Sequence, residues 1–311
     1  MRRGELPGND REDAPPAEDV SAALRALLEG VVDYAGLFPP AGLDVPAAAR
    51  NYAAYRASAD RWMLGRFVVG IAKLPELRST LTSMRVADTW PVTVVAPDAA
   101  AATSVLRAPD DARVRIESVE TRARSAGDVA LIARAAPKAR EVYVEIPTDD
   151  TMPGLLDAIA TGKLRAKIRT GGVTPDAIPP AAAVVAFIRG CLDRNLPFKA
   201  TAGLHHPLRG SYPLTYEGGA PTAEMFGYLN VFLATVFMRA GLSDGEAAKL
   251  LVESDPGAIV IEEDAIRWGA HAVDTEAVRA MRARLATSFG SCSFREPVEE
   301  LPFPVSSQAP A

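Results

Sequence analysis

From Arg66 onward the chain alternates, and that alternation constrains its fold more than any other feature. Short apolar, β-branched runs are each followed by a stretch with helical patterning. The runs are RFVVGIAKL, PVTVVAP, RVRIESVE, EVYVEIP, RAKIRTGG and FKATAG. Between them lie PELRSTLTSMRVA, DAAAATSVLRA, SAGDVALIARAAPKA, TMPGLLDAIATG and PPAAAVVAFIRGCLDRN. Strands alternating with helices of this length build parallel β/α units. Beyond FKATAG the pattern thins. AIVIEE (258–263) reads as a seventh strand, no eighth is legible, and DTEAVRAMRARLATSF reads as a final helix stopped at Gly290. The expected fold is α/β, a (β/α)8-type (TIM) barrel with irregular closure. An open doubly wound sheet is the alternative, and no Gly-x-Gly-x-x-Gly follows the first run to support its dinucleotide-binding version.

The flanks are organised differently. Residues 18–62 read as a helical segment packed on the barrel: a helix through SAALRALLEGVV, an irregular loop DYAGLFPPAGLDVP, and a helix PAAARNYAAYRAS with Pro46 in its first turn. Within DYAGLFPP an aromatic–proline packing corner is the plain reading. A lid or plug with Asp33 or Tyr34 reaching inward is the other. Residues 1–17 are polar and Pro-rich and read as a disordered leader, 301–311 as a disordered tail, which leaves 63–300 for the barrel.

Composition narrows the function classes. The 311 residues, 48% hydrophobic, suffice for one large core. A net charge of −5 leaves no basic excess for a polyanion, so nucleic acid is not an expected partner. No apolar stretch follows Arg2 and Arg3, so the N-terminus does not read as a secretory signal. MFGYLNVFLATVFM (225–238) is interrupted by Gly227 and Asn230 and is too short for a bilayer; it reads as a core helix or an oligomer interface. Cys191 and Cys292 lack metal-type spacing and fit a reducing compartment. The expectation is a soluble cytoplasmic protein with no membrane partner, a homo-oligomer being compatible. Small polar residues surround Cys292 in SFGSCSFREP, and with no base legible nearby the segment reads as a turn docking on the body.

The strands carry an unusual polarity. In a parallel sheet covered on both faces they should be nearly continuous apolar runs. Here Val142, Val144 and Ile146 alternate with Glu141, Tyr143 and Glu145; Ala166 and Ile168 with Lys167 and Arg169; Phe198, Ala200 and Ala202 with Lys199, Thr201 and Gly203. Val114 and Ile116 likewise alternate with Arg115 and Glu117. Because side chains alternate with period two, each strand has one apolar and one charged face. Helices take the apolar face, so the charges must fill a lumen that branched apolar side chains normally pack. Glu145, Lys167, Arg169 and Lys199 lie toward the C-terminal ends of their strands, where barrel active sites sit. A structural ion-pair network is the plain alternative.

These residue types suggest carbonyl chemistry. The apolar neighbours of Lys199 disfavour its ammonium, and Lys167 on the preceding strand adds a second positive charge; together these are conditions for a nucleophilic amine. In that reading Lys199 is the nucleophile or base and Lys167 modulates it. Glu145 with His205 or His206 moves protons, and Arg169 holds a carboxylate or phosphate. Thr170, Gly171 and Gly172, with Thr201 and Gly203, bring backbone N–H groups to the anion, and Glu117 and Tyr143 share the inward faces as substrate contacts. KATAG (199–203) resembles class I aldolases of the deoxyribose-phosphate aldolase kind, whose Schiff-base lysine lies on the sixth barrel strand in a Lys-Thr-Ser/Thr-Gly context. Lys199, Thr201 and Gly203 match; the continuation GLHHP does not belong to that pattern. The chain as a whole also resembles bacterial proteins of unassigned function that share DYAGLFPP, KATAGLHHP and SFGSCSF-EP, a likeness that implies no activity.

The expected function is therefore a lyase or isomerase acting on a small anionic carbonyl compound by lysine-assisted chemistry, with no cofactor. A rival uses a divalent metal held by His205, His206 and Glu145, with Glu117 as a further ligand, in a lyase or hydrolase. A third reading is a non-catalytic small-anion-binding protein.

Overall fold

The computed structural model describes residues 20–107, 109–137 and 140–303; the expected leader, and 304–311 of the expected tail, lie outside them. Helix α1 (Ala22–Leu28) starts where the Ser21 hydroxyl accepts the Leu24 N–H, and it leads into β1 (Val32–Tyr34), a buried three-residue strand. Helix α2 (Val45–Ala57) is capped by Asp44, with Pro46 in its first turn as the sequence requires. The alternation then runs β2 (Leu64–Gly70), α3 (Leu74–Ser83), β3 (Trp90–Val95), α4 (Ala99–Leu106), β4 (Val114–Arg122), α5 (Ala126–Ala135), β5 (Glu141–Glu145), α6 (Met152–Thr161), β6 (Arg165–Arg169), α7 (Ala181–Asp193) and β7 (Phe198–Thr201).

An excursion follows. An antiparallel hairpin of β8 (Gly210–Pro213) and β9 (Thr222–Met225) precedes α8 (Tyr228–Arg239) and α9 (Asp244–Leu251). A three-stranded antiparallel sheet of β10 (Ile259–Ile261), β11 (Ala265–Trp268) and β12 (His271–Asp274) comes next, then α10 (Thr275–Arg284), β13 (Ala286–Ser291) and α11 (Arg295–Glu299).

Strands β1 to β7 and β13 close a parallel barrel in that order, with β13 pairing back onto β1. The chain is a (β/α)8 barrel. The N-terminal segment thus belongs to the barrel and does not merely pack on it, because Val32, Asp33 and Tyr34 pair with Phe289, Gly290 and Ser291. The stretch AIVIEE is not a barrel strand: β10 pairs antiparallel with β11 outside the barrel. The final helix ends at Arg284, and ATSFGS extends as the eighth barrel strand. Arg282 fixes that transition. Its guanidinium donates to the carbonyls of Ala286 (2.9 Å), Thr287 (2.5 Å) and Glu29 (2.7 Å), tying the start of β13 to the approach to β1.

The apolar strand faces meet the helices as the alternation predicts: Val142, Val144, Ala166, Ile168, Phe198 and Ala200 are all buried in the outer core. Tyr34, Tyr52, Phe67 and Trp90 form an aromatic cluster beneath α2. Helix α8 is buried from Tyr228 to Met238, as its lack of a polar face demands. The stretch Pro175–Asp193 has the length and hydropathy of a membrane span, but its C-terminal part is α7, which buries Val184, Val185, Phe187, Ile188 and Cys191.

Candidate active site

The lumen is polar in two storeys, and they do different work. At the N-terminal end, Arg66 pairs with Glu117 (2.9 Å) and Glu141 (2.9 Å), Arg165 with Glu141 (2.8 Å), and Arg115 with Glu117 (2.6 Å). Tyr143 lies above this floor, with its hydroxyl on Glu141 (3.0 Å) and Thr287 (2.8 Å). Glu117 and Tyr143 therefore belong to the floor of the barrel, with their polar atoms engaged there, and neither lines the cavity at the other end.

Above Tyr143 a chain of alternating charges crosses the barrel. Asp33 on β1 accepts from the Lys199 ammonium at 2.5 Å, and Glu120 on β4 accepts from it at 2.5 Å through one carboxylate oxygen. The other oxygen of Glu120 takes Lys167 on β6 at 2.7 Å; Lys167 also reaches Glu145 on β5 at 2.9 Å, and Arg122 covers Glu145 at 3.0 Å. Ser288 on β13 donates to Asp33 at 3.0 Å. Five strands plus β13 thus contribute to one network.

Local geometry explains how Glu120 comes to face inward. Val92 pairs with Ile116 but Thr93 pairs with Ser118, so β4 carries a bulge at Glu117. Beyond it the side-chain parity flips, and Ser118 and Glu120 point into the lumen. Simple alternation from Val114 and Ile116 puts Glu120 on the helix side, and so misses it. Asp33 is missed because three residues beside a proline-rich loop carry no strand periodicity; only the reading of DYAGLFPP as a plug reaches it.

Electrostatics separates the two lysines. Burial alone pulls the Lys199 ammonium toward neutrality, but Asp33 and Glu120 more than reverse this and hold its pKa above the ordinary lysine value. The apolar sequence neighbours predict the opposite direction, since the two carboxylates are far away in sequence. Burial alone would raise Glu120, but Lys167 and Lys199 hold it down to about 2. Burial likewise opposes ionisation of Glu145; Lys167 outweighs it, helped by Arg169 and Arg122, and the carboxyl lies below its ordinary value.

A cavity of about 440 Å³ opens above this network at the C-terminal strand ends. Lys167, Glu120, Glu145, Arg122 and Arg169 line its polar side, and Phe38, Pro39, Pro40, Val68 and Val95 its apolar side. Lys199 is only 1% exposed and does not reach the lining, whereas Lys167 is 8% exposed and does. Counted from β1, Lys167 stands on the sixth barrel strand and Lys199 on the seventh. KATAG consequently stands on the seventh strand, because β1, which carries no legible periodicity, is the first.

The loops after β6 and β7 complete the wall. Gly172, Thr201, Gly203 and Arg169 line the cavity. Thr170 and Gly171 do not: the Thr170 hydroxyl donates to the Ala202 carbonyl at 2.7 Å, and Gly171 lies so close to Gly203 that a Cβ there would meet its Cα at 2.9 Å. With Gly203 at φ +75°, this contact latches the two loops together and excludes any larger side chain.

The histidines separate. His205 is buried, with its Nδ1 3.2 Å from Ser291 Oγ, 3.4 Å from Glu296 Oε2 and 3.8 Å from Cys292 Sγ. Burial favours the neutral ring, but Cys292 and Glu296 reverse this and raise His205 to about 9. His206 pairs with Glu300 at 2.6 Å and stacks on Tyr212 at a centroid distance of 3.5 Å. Glu145 is taken by Lys167 and Arg122, and Glu117 sits in the floor. The proposed metal set His205, His206 and Glu145 is thus dispersed, and among the described residues no three His, Cys, Asp or Glu side chains are placed to hold a metal ion. Cys292, Glu296 and Tyr216 line the same cavity as both histidines. Neither family models, curated proteins nor solved structures match this chain.

Proposed function

We propose that the protein is a lysine-dependent lyase or isomerase acting on a small anionic carbonyl compound, a carboxylate or a phosphate, with Lys167 as the amine that forms the Schiff base. The observation that carries this reading is the placement of Lys167. It is the buried lysine that lines the cavity, and it stands between Glu120, a fixed charge, and Glu145, which can exchange a proton with it. The class I aldolases that KATAG resembles carry their Schiff-base lysine on the sixth barrel strand; here that strand holds Lys167 and KATAG lies on the seventh, so the strand position alone, and not the motif around Lys199, supports Lys167.

The roles follow from the geometry. Lys167 passes a proton to Glu145, and its neutral nitrogen adds to the substrate carbonyl; loss of water leaves an iminium. The iminium draws electrons from the adjacent bond, so that a carbon–carbon bond or an α C–H bond can break. Glu145 returns its proton to the departing hydroxyl and, as a carboxylate beside the iminium, takes the proton that the bond cleavage releases; electrons flowing to the Lys167 nitrogen cancel the charge that depresses Glu145, so its proton affinity rises as it acts as the base. Lys199 keeps its proton throughout, holding Asp33 and Glu120 in place as fixed charges. Arg169, with the backbone beside Gly172 and Gly203, receives the substrate anion.

The test is α-proton exchange. Small keto acids and aldehyde phosphates are incubated with the protein in D2O and followed by proton NMR. At least one should exchange in the wild type, and Lys167→Met should slow it by roughly 100-fold or more, the scale of a lost catalytic group. Exchange at the wild-type rate in Lys167→Met, or none with any member of the panel, contradicts the reading.

A further inference from the structure

We propose that Cys292 is a second, independent nucleophile in the cavity, activated by His205 and suited to accept an acyl group from a small ester or thioester. This centre lies on the outer wall, and its chemistry uses none of the lysine network.

The parts come from three separate segments. Cys292 follows β13 directly, His205 lies on the loop after β7, and Glu296 is in the first turn of α11. The barrel brings them together: Cys292 Sγ is 3.8 Å from His205 Nδ1, and Glu296 Oε2 is 3.4 Å from the same nitrogen. Tyr216, from the segment after β8, closes the cluster by donating to Glu296 at 2.9 Å, with its hydroxyl 3.6 Å from Cys292 Sγ. All four residues line the cavity, Cys292 with 5% of its surface exposed.

A thiol beside an imidazole, with a carboxylate on the same ring, is an arrangement that moves the thiol proton onto nitrogen and stabilises the resulting imidazolium. The step balances without any co-reactant. The step starts from the neutral ring of His205, the form that prevails as pH rises through about 9: the Cys292 proton passes to His205 Nδ1, and the sulfur adds to the ester carbonyl carbon. The carbon–oxygen or carbon–sulfur bond to the leaving group then breaks, and His205 returns the proton to the departing group. A thioester on Cys292 and a free alcohol or thiol remain, and water can release the acid by the reverse proton path. Cys191 provides a contrast within the same chain. It lies on the inner face of α7, and burial pushes its thiol far above the ordinary range.

The test uses p-nitrophenyl acetate with the full-length protein, quenched at intervals and mapped by peptide mass spectrometry. Acetyl should accumulate on Cys292 at least about tenfold faster than on glutathione at the same pH, with Cys191 unlabelled. His205→Asn should slow the labelling by roughly 100-fold, in line with loss of a general base. Labelling of Cys292 no faster than glutathione, labelling that settles on lysines instead, or an unchanged rate in a folded His205→Asn protein overturns the proposal. The wild-type comparison decides by itself if that variant does not fold. A label on Lys167 would overturn this inference while leaving the Schiff-base reading intact.

Discussion

At the scale of single residues, the site is organised by Glu120. One carboxylate oxygen holds Lys167 and the other holds Lys199, so a single buried side chain fixes both ammonium groups. The two lysines differ in what their removal leaves behind. Without Lys199, Asp33 loses its ammonium partner and keeps the Ser288 hydroxyl and the Arg66 backbone N–H, and Glu120 keeps Lys167 alone. Without Lys167, Glu120 still has Lys199 and Glu145 still has Arg122. Breaking a buried pair by removing one partner costs about 3–5 kcal/mol, because the other charge is left uncompensated. Lys199→Met should therefore lower the unfolding free energy by roughly that amount, and Lys167→Met by clearly less, both read from urea denaturation. Equal losses would show that the two lysines carry the same structural role, which the contacts deny.

At the scale of elements, legibility follows length and regularity. The strands β2 to β7 are legible in sequence because each is a periodic run bounded by a helix, and their charged faces identify Lys167, Lys199, Glu145 and Arg169 as inward residues. The barrel's closing pair is not legible. A three-residue VDY next to a proline-rich loop and an ATSFGS continuous with a helix give no alternation to read, and only tertiary pairing makes them strands. The antiparallel excursion adds a decoy, since β10 has the composition of a barrel strand but pairs outside it. Glu120 is hidden by a bulge, which changes which face a residue occupies while leaving composition untouched. The pairing of Cys292 with His205 is hidden for another reason: 87 residues separate them, and the barrel's closure alone brings their loops together. A base for Cys292 is present in the sequence, but no local spacing announces it.

At the scale of the whole molecule, the buried charges set a stability window. The folded Glu120 carboxyl is held down to about 2 from its ordinary value of 4.5, so its contribution is present above pH 4.5 and is lost as pH falls toward 2. His205 has the opposite sign. Raised from 6.5 to about 9, it contributes fully below pH 6.5, and that contribution fades as pH rises through 9. Urea midpoints measured from pH 3 to pH 10 should therefore plateau between about 4.5 and 6.5 and fall on both sides. His205→Asn should remove most of the alkaline decline, and a decline of unchanged size in that variant would assign it elsewhere. The assignment of Lys167 turns on which lysine the cavity exposes to a carbonyl compound. Borohydride reduction in the presence of the panel of keto acids and aldehyde phosphates, followed by peptide mapping, tests it most directly. A reduced adduct should form on Lys167 and stay at the same residue in a folded Lys199→Met protein; an adduct on Lys199, or its retention in Lys167→Met, would overturn the assignment.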